Sequence, residues 1–154
     1  MNTNDIKYSV LMCVYAGDNP EWFNLAIESM LLQTISADEF VIVKDGPVTK
    51  KINEIIDKYC LKFRDLFNIV ELKKNMGLGE ALRQGVLHCH NEWIVRMDAD
   101  DYSVPSRVEQ QMWAAYKKGA DIVGSDVVEF TSIPDRKHQR AIRVFPEKHL
   151  DIVK

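Results

Sequence analysis

The sequence predicts an open α/β fold, with a mostly parallel sheet covered by helices on both faces. Three observations predict it. Short apolar runs alternate with longer helical stripes along most of the chain. The stripes are long enough to serve as right-handed crossovers between parallel strands. The apolar runs stop at turn formers such as Gly17-Asp18 and Asp45-Gly46-Pro47.

Val10 to Tyr15 is the first predicted strand, a continuous apolar run containing two Val. A helix follows: Asn19 can cap it, Pro20 suits its first position, and Glu21 complements its dipole. Trp22, Phe23, Ala26, Ile27, Met30 and Leu31 give it one wide apolar stripe. Phe40 to Val43 is the second strand. Thr49 opens a second helix with the stripe Ile52, Ile55, Ile56, Tyr59 and Phe63. Phe67 to Leu72 is the third strand, and Asn75-Met76-Gly77 turns into a third stripe of Leu78, Ala81, Leu82, Val86 and Cys89. Trp93 to Met97 is the fourth strand. Pro105 starts a helix carrying Val108, Met112, Ala115 and Tyr116, and Gly119 ends it. Ile122-Val123 is expected to begin a fifth strand. Thr131 to Arg140 reads as an exposed loop, Ala141 to Phe145 as a further strand, and His149 to Lys154 as the first turn of a helix. That abrupt end predicts a single domain over residues 1–154 that is incomplete at its C-terminus.

The 154 residues are enough to hide roughly two thirds of the unfolded surface. An apolar fraction of 46% excludes disorder as the main state. A net charge of −3 argues against a nucleic-acid partner that needs a broad basic surface. The longest apolar run, Val10 to Ala16, is far too short to span a bilayer. The first seven residues lack an apolar signal core. Cys13, Cys60 and Cys89 form neither a disulfide framework nor a zinc pattern, which fits a reducing cytosol.

In open α/β sheets, ligands bind beyond the carboxyl ends of the strands. The positions to inspect are therefore Tyr15, Asp45, the 75–79 segment and Asp98 to Asp101. Asp98-Ala99-Asp100-Asp101 places three carboxylates in four residues, a costly cluster unless a cation offsets it. Mg²⁺-like ions commonly take one or two carboxylates together with substrate phosphates. The alternative is that Asp100 and Asp101 only favour the start of the next helix. Asp45 could accept from a nucleobase or ribose, or simply make an Asx-turn. Tyr15 could stack on a base, or be a half-buried aromatic with a wet hydroxyl. Gly77-Leu78-Gly79-Glu80-Ala81-Leu82 lacks the last glycine of a dinucleotide fingerprint, so no NAD site is expected. Arg83 is a phosphate partner or a solvated charge. The four histidines show no metal spacing and receive no role.

These pieces, in this order, resemble the family 2 glycosyltransferases of the GT-A, Rossmann-like fold. Ser9-Val10-Leu11-Met12-Cys13-Val14-Tyr15 is similar to the family's opening strand. Ala26 to Thr34, with Gln33-Thr34 at its end, is similar to its first helix. Val41-Ile42-Val43-Lys44-Asp45-Gly46 resembles the strand that ends in Asp-Asp-Gly. Asn75-Met76-Gly77-Leu78 resembles the N-x-G-L turn. Met97-Asp98-Ala99-Asp100-Asp101, with Pro105 and Arg107, matches the D-x-D region. The resemblance covers about residues 8–130 and has the tone of bacterial exopolysaccharide, capsule or lipopolysaccharide transferases. It implies that Tyr15 flanks the nucleobase, with the Cys13 backbone nearby. It implies that Asp45 accepts from a uracil-type imino group, that Asp98 contacts the ribose, and that Asp100 binds Mn²⁺ or Mg²⁺ on the diphosphate. It also implies a nucleotide-sugar donor, a saccharide or lipid-linked saccharide acceptor, and work at the inner face of the cytoplasmic membrane. Two positions depart from the pattern. Lys44 stands for the first Asp of the pair, and Arg83 stands where Asn is common and offers a phosphate contact. The family's general base and acceptor half are expected beyond Lys154.

The function expected is metal-dependent, inverting transfer of a sugar from a nucleotide donor. A nucleotide-binding module without catalysis is the rival from another class. A sugar nucleotidyltransferase ranks lower, because residues 16–20 offer one Gly and no cation where such enzymes carry a Gly- and Arg-rich loop.

Overall fold

The computed structural model describes residues 6–131, 134 and 137–145. The chain forms two compact units, one over residues 2–109 and one from residue 110 onward.

The first unit holds strands β1 (Tyr8–Val14), β2 (Glu39–Lys44), β3 (Phe67–Glu71) and β4 (Trp93–Met97), and helices α1 (Pro20–Leu31), α2 (Lys50–Lys62) and α3 (Leu78–Val86). The four strands are all parallel, in the order β3-β2-β1-β4. Their alternation builds two cores. On one face Val10 pairs with Phe40, which pairs with Phe67. Phe67 stacks on Phe40 at 4.8 Å and on Tyr59 of α2 at 5.7 Å. The Tyr59 hydroxyl donates toward Asn24 Oδ1 and Glu28 Oε1, at 2.9 and 3.1 Å, which joins α2 to α1. On the other face Leu11, Val41 and Val43 pack with Val70 and Ala81 beneath α3. A Cβ at Gly85 would lie 2.3 Å from Leu11 Cδ1 and 2.8 Å from Val43 Cγ2, so this glycine lets α3 seat closely on the sheet. Helices therefore cover both faces, as expected.

The caps are those expected. Asn19 Oδ1 accepts from the Glu21 and Trp22 N–H groups at 2.8 and 3.3 Å, and Thr49 Oγ1 accepts from Ile52 N–H at 3.3 Å. Two stripes are narrower than expected. In α1, Phe23, Ala26, Ile27 and Met30 are buried while Trp22 is exposed. In α3, Ala81 and Gly85 carry the contact, and the larger Leu78 and Val86 stay exposed.

Helix α4 (Arg107–Lys118) contains the division between the units. Val108, Met112 and Ala115 are buried, Tyr116 is exposed, and Gly119 follows with φ +59°. The second unit continues with an antiparallel pair, β5 (Val127–Phe130) and β6 (Gln139–Arg143). No strand forms at Ile122-Val123; the fifth strand starts at Val127 and pairs with β6 in a separate two-stranded sheet. Its partner begins earlier than Ala141, so the expected loop 131–140 gives its last two residues to a strand. The expected helical turn at 149–154 lies outside the described residues. No helix among the described residues is long and apolar enough to cross a membrane.

Candidate functional site

All four strands point their carboxyl ends the same way, so the segments that follow them meet at one rim. There Cys13, Val14, Tyr15, Asp18, Asp45, Asn75, Gly77, Leu78, Asp98, Ala99 and Asp100 line a crevice of about 350 Å³. Five of the six residues singled out from the sequence are among them. Arg83 is not: its guanidinium forks onto Glu80, Nε to Oε2 at 2.8 Å and Nη2 to Oε1 at 2.7 Å, on the exposed side of α3.

Asp45 is buried and ties two loops together. Its Oδ1 accepts from Met76 N–H at 2.7 Å and its Oδ2 from Gly77 N–H at 3.0 Å. The carboxylate thus reaches across to the 75–77 segment rather than making a local Asx-turn. Gly46 has φ +85°, and a Cβ there would lie 2.5 Å from Asn75 N, so only glycine allows this approach. Lys44 turns away from the crevice to Glu71 of β3, at 2.5 Å. Burial pushes the Cys13 thiol up to about 11, with the Asp45 carboxylate adding to it, so the thiol is inert at neutral pH.

Tyr15 is half exposed at the mouth. Its N–H donates to Asp18 Oδ2 at 2.9 Å, and Asp18 N–H returns to Tyr15 O at 3.2 Å. Burial raises the Asp18 carboxyl above its usual range, and the charges of Asp100 and Asp98 add to that. Asp101 is raised in the same way, by burial and then by Asp100 and Asp98.

The acidic turn is not a helix start, since α4 begins only at Arg107. It is held from behind by Gln33. Gln33 Nε2 lies 3.0 Å from Ser29 O, Ser103 Oγ and Val104 O, and its Oε1 accepts from Val108 N–H at 3.1 Å. Arg107 lies below with Nη2 at 3.5 Å from Arg96 O, while its buried Nε has no hydrogen-bond partner. Burial lowers its pKa from the ordinary arginine value. In front, Arg96 Nη2 donates to Asp98 Oδ1 at 2.5 Å.

The four crevice carboxylates therefore differ. Asp45 is spent on backbone N–H groups, Asp98 on Arg96, and Asp18 on Tyr15. Asp100 is exposed and has no hydrogen-bond or ion-pair partner among the described residues. Carboxylate oxygens suit a hard divalent cation. Among the described residues no group of three or more metal-ligating side chains could hold an ion by itself. The donor set fits an ion held partly by Asp100 and partly by a ligand's phosphates.

Asp18 and Gln33 carry no role in the sequence reading. Asp18 reads there only as the end of a strand, and Gln33 only as part of a motif. His90, given no role, binds Glu39 at the opposite end of the sheet.

An all-parallel open sheet with an acidic, aromatic-edged crevice at its strand ends defines a ligand-binding α/β domain of GT-A-like architecture. Residues 9–152 match the family described as Glycosyl transferase family 2, and the chain belongs to that family. It is 39% identical over 126 residues to an uncharacterized glycosyltransferase of Haemophilus influenzae, covering 81% of this chain and 46% of the relative. It is 36% identical over 140 residues to the UDP-Gal:alpha-D-GlcNAc-diphosphoundecaprenol beta-1,3-galactosyltransferase of Escherichia coli, covering 89% and 50%. It is 33% identical over 147 residues to an amylovoran biosynthesis glycosyltransferase of Erwinia amylovora, covering 94% and 53%. The chain thus spans about half the length of these relatives. Among solved structures, S. aureus TarS in complex with UDP-GlcNAc superposes with a TM-score of 0.62 at 20% identity, over 73% of this chain and 32% of that one. A mannosyltransferase from Pyrobaculum calidifontis, solved with GDP-Man and Mn²⁺, gives 0.54 at 20% identity over 62% and 28%.

Proposed function

We propose that this chain is the donor-binding part of a glycosyltransferase that moves a sugar from a nucleotide donor, a UDP-sugar, to an acceptor hydroxyl in bacterial polysaccharide synthesis. One observation carries the reading. Tyr15, Asp45, Asp98 and Asp100 follow three different strands yet line one crevice, with an aromatic at its mouth and an unpartnered carboxylate at its edge. The E. coli relative's name supports a UDP-sugar donor and a lipid-linked acceptor.

In this reading Tyr15 flanks the base, the Cys13–Tyr15 backbone lies beside it, and Asp45 accepts from the base's imino N–H with the lone pairs its loop bonds leave. Asp98, fixed by Arg96, takes ribose hydroxyls. Asp100 would hold Mn²⁺ or Mg²⁺ together with the donor's phosphates. The ion would supply Lewis-acid neutralisation of charge on the departing diphosphate. The acceptor oxygen bonds to the anomeric carbon as the carbon–phosphate-oxygen bond breaks, and a base takes the hydroxyl proton. Attack from the face opposite the leaving group inverts the anomeric centre. Arg83, forked onto Glu80 outside the crevice lining, takes no part in this donor set. Peripheral contact with the inner face of the cytoplasmic membrane follows from a lipid-linked acceptor.

Calorimetric titration of the protein with UDP, with and without Mn²⁺, tests the donor half. Binding strengthened by Mn²⁺ is expected. No binding of UDP, GDP or dTDP in either condition would overturn the reading.

A further inference from the structure

The turn at the crevice mouth holds the Tyr15 ring in one place by two devices. The first is the paired bonding of Tyr15 and Asp18, N–H to carboxylate at 2.9 Å and N–H to carbonyl at 3.2 Å, which closes the turn. The second is the missing side chain of Gly17. A Cβ there would lie 2.5 Å from Tyr15 Cε2, 2.6 Å from Cζ and 2.6 Å from the hydroxyl oxygen. Carbon atoms do not approach this closely, so the ring occupies the space a side chain at position 17 would need.

The glycine is not there for its backbone. Only Gly46, Gly77 and Gly119 have positive φ among the described residues, so residue 17 sits in a conformation that alanine can adopt. The three nearest atoms that such a Cβ would meet all belong to the Tyr15 ring, the movable end of a side chain. Adding one methyl group at position 17 therefore moves the ring and leaves the chain path alone.

We infer that Gly17 and Asp18 are positioning residues that set the Tyr15 ring as a shelf for the planar base of a nucleoside diphosphate. The inference rests on the donor-site reading above and deepens it. A stacked base needs the ring at a fixed height and tilt, and an exposed tyrosine on a free loop would lose that order on its own. The Asp18 clasp fixes where the ring is attached, and the empty position 17 fixes where it lies.

A double-mutant cycle tests this on the protein, read by calorimetric Kd for UDP in the presence of Mn²⁺. Base–aromatic stacking is usually strong enough that misplacing the ring costs about five- to tenfold in affinity. Gly17→Ala and Tyr15→Ala are each expected to weaken UDP by about that factor, and the double variant is expected to match Tyr15→Ala alone. Inorganic pyrophosphate, which has no base, should bind Gly17→Ala and the parent equally. Asp18→Asn keeps an acceptor for the Tyr15 N–H and should retain the shelf, whereas Asp18→Ala should weaken UDP. Gly17→Ala binding UDP like the parent, or weakening it as much when Tyr15 is already alanine, would overturn the inference. A parent protein that binds no UDP defeats the donor-site reading itself, and the shelf with it.

Discussion

Asp45 and Gly77 stand 32 positions apart in sequence and are joined by a 3.0 Å hydrogen bond from the Gly77 N–H to Oδ2, while Oδ1 takes the neighbouring Met76 N–H at 2.7 Å. One carboxylate thus fixes two sides of the crevice. Asp45→Asn presents a single acceptor oxygen to two donors and turns an NH₂ group toward one of them. We expect a loss of about 1–3 kcal/mol in urea unfolding, the cost of stranding a buried donor. Unchanged stability would show that the loop does not depend on the bond.

Asp100 acts in the opposite sense. It repels Asp18 and Asp101, whose carboxyls lie above their usual range after burial and this repulsion are combined. Asp100→Asn should leave the melting temperature unchanged or raise it. It should also remove the Mn²⁺-dependent part of UDP affinity, about tenfold or more. A fall in melting temperature with UDP affinity intact would assign Asp100 to the fold instead.

Much of this arrangement is legible in the sequence, and the parts that are not have physical reasons. The inner strands show because a parallel sheet buried on both faces demands unbroken apolar runs, and the Phe40–Val43 run lies inside β2, whose first five residues are all buried. The stripes of α1 and α3 are overestimated because apolarity marks what can be buried, and Gly85 takes the contact that Val86 seemed to claim. The strand expected at Ile122-Val123 fails because two β-branched residues do not define a partner. Tyr15, Asp45, Asp98 and Asp100 are found by the rule that ligands gather beyond strand ends. Asp18 is hidden because a turn-forming Asp is usually only that. The Gln33 clasp joins residues some seventy apart, which no local pattern reveals.

The far end of the sheet holds a second network that the sequence conceals. Glu39 is buried, and its carboxylate accepts from the Ser9 hydroxyl, from His90 N–H at 2.5 Å, and from the His90 ring at 2.8 Å. Burial alone would raise its pKa, but the Ser9 and His90 donors outweigh this and hold it below the usual range. A depressed acid stabilises the fold above its unfolded value, about 4.3, and loses that contribution as pH falls through the folded value. Unfolding curves between pH 6 and pH 3 should therefore show the parent losing more stability than Glu39→Gln. Parallel losses would remove Glu39 from the acid response.

Gly85→Ala tests how closely α3 is seated. The added methyl would meet Leu11 Cδ1 at 2.3 Å and Val43 Cγ2 at 2.8 Å. Overpacking of this kind costs about 1–3 kcal/mol, against a gain of up to about 1 kcal/mol in helix propensity. We expect a net loss of about 1–2 kcal/mol by chemical denaturation, and a stabilised variant would mean that the helix rides higher than the contacts imply.

The Gln33 amide has one more consequence. It is neutral at every pH and indifferent to salt, so the brace behind the acidic turn keeps its shape while the carboxylates in front change their charge. Acid, ionic strength or an arriving ion can retune how strongly the rim attracts its ligand without remodelling the frame that presents it.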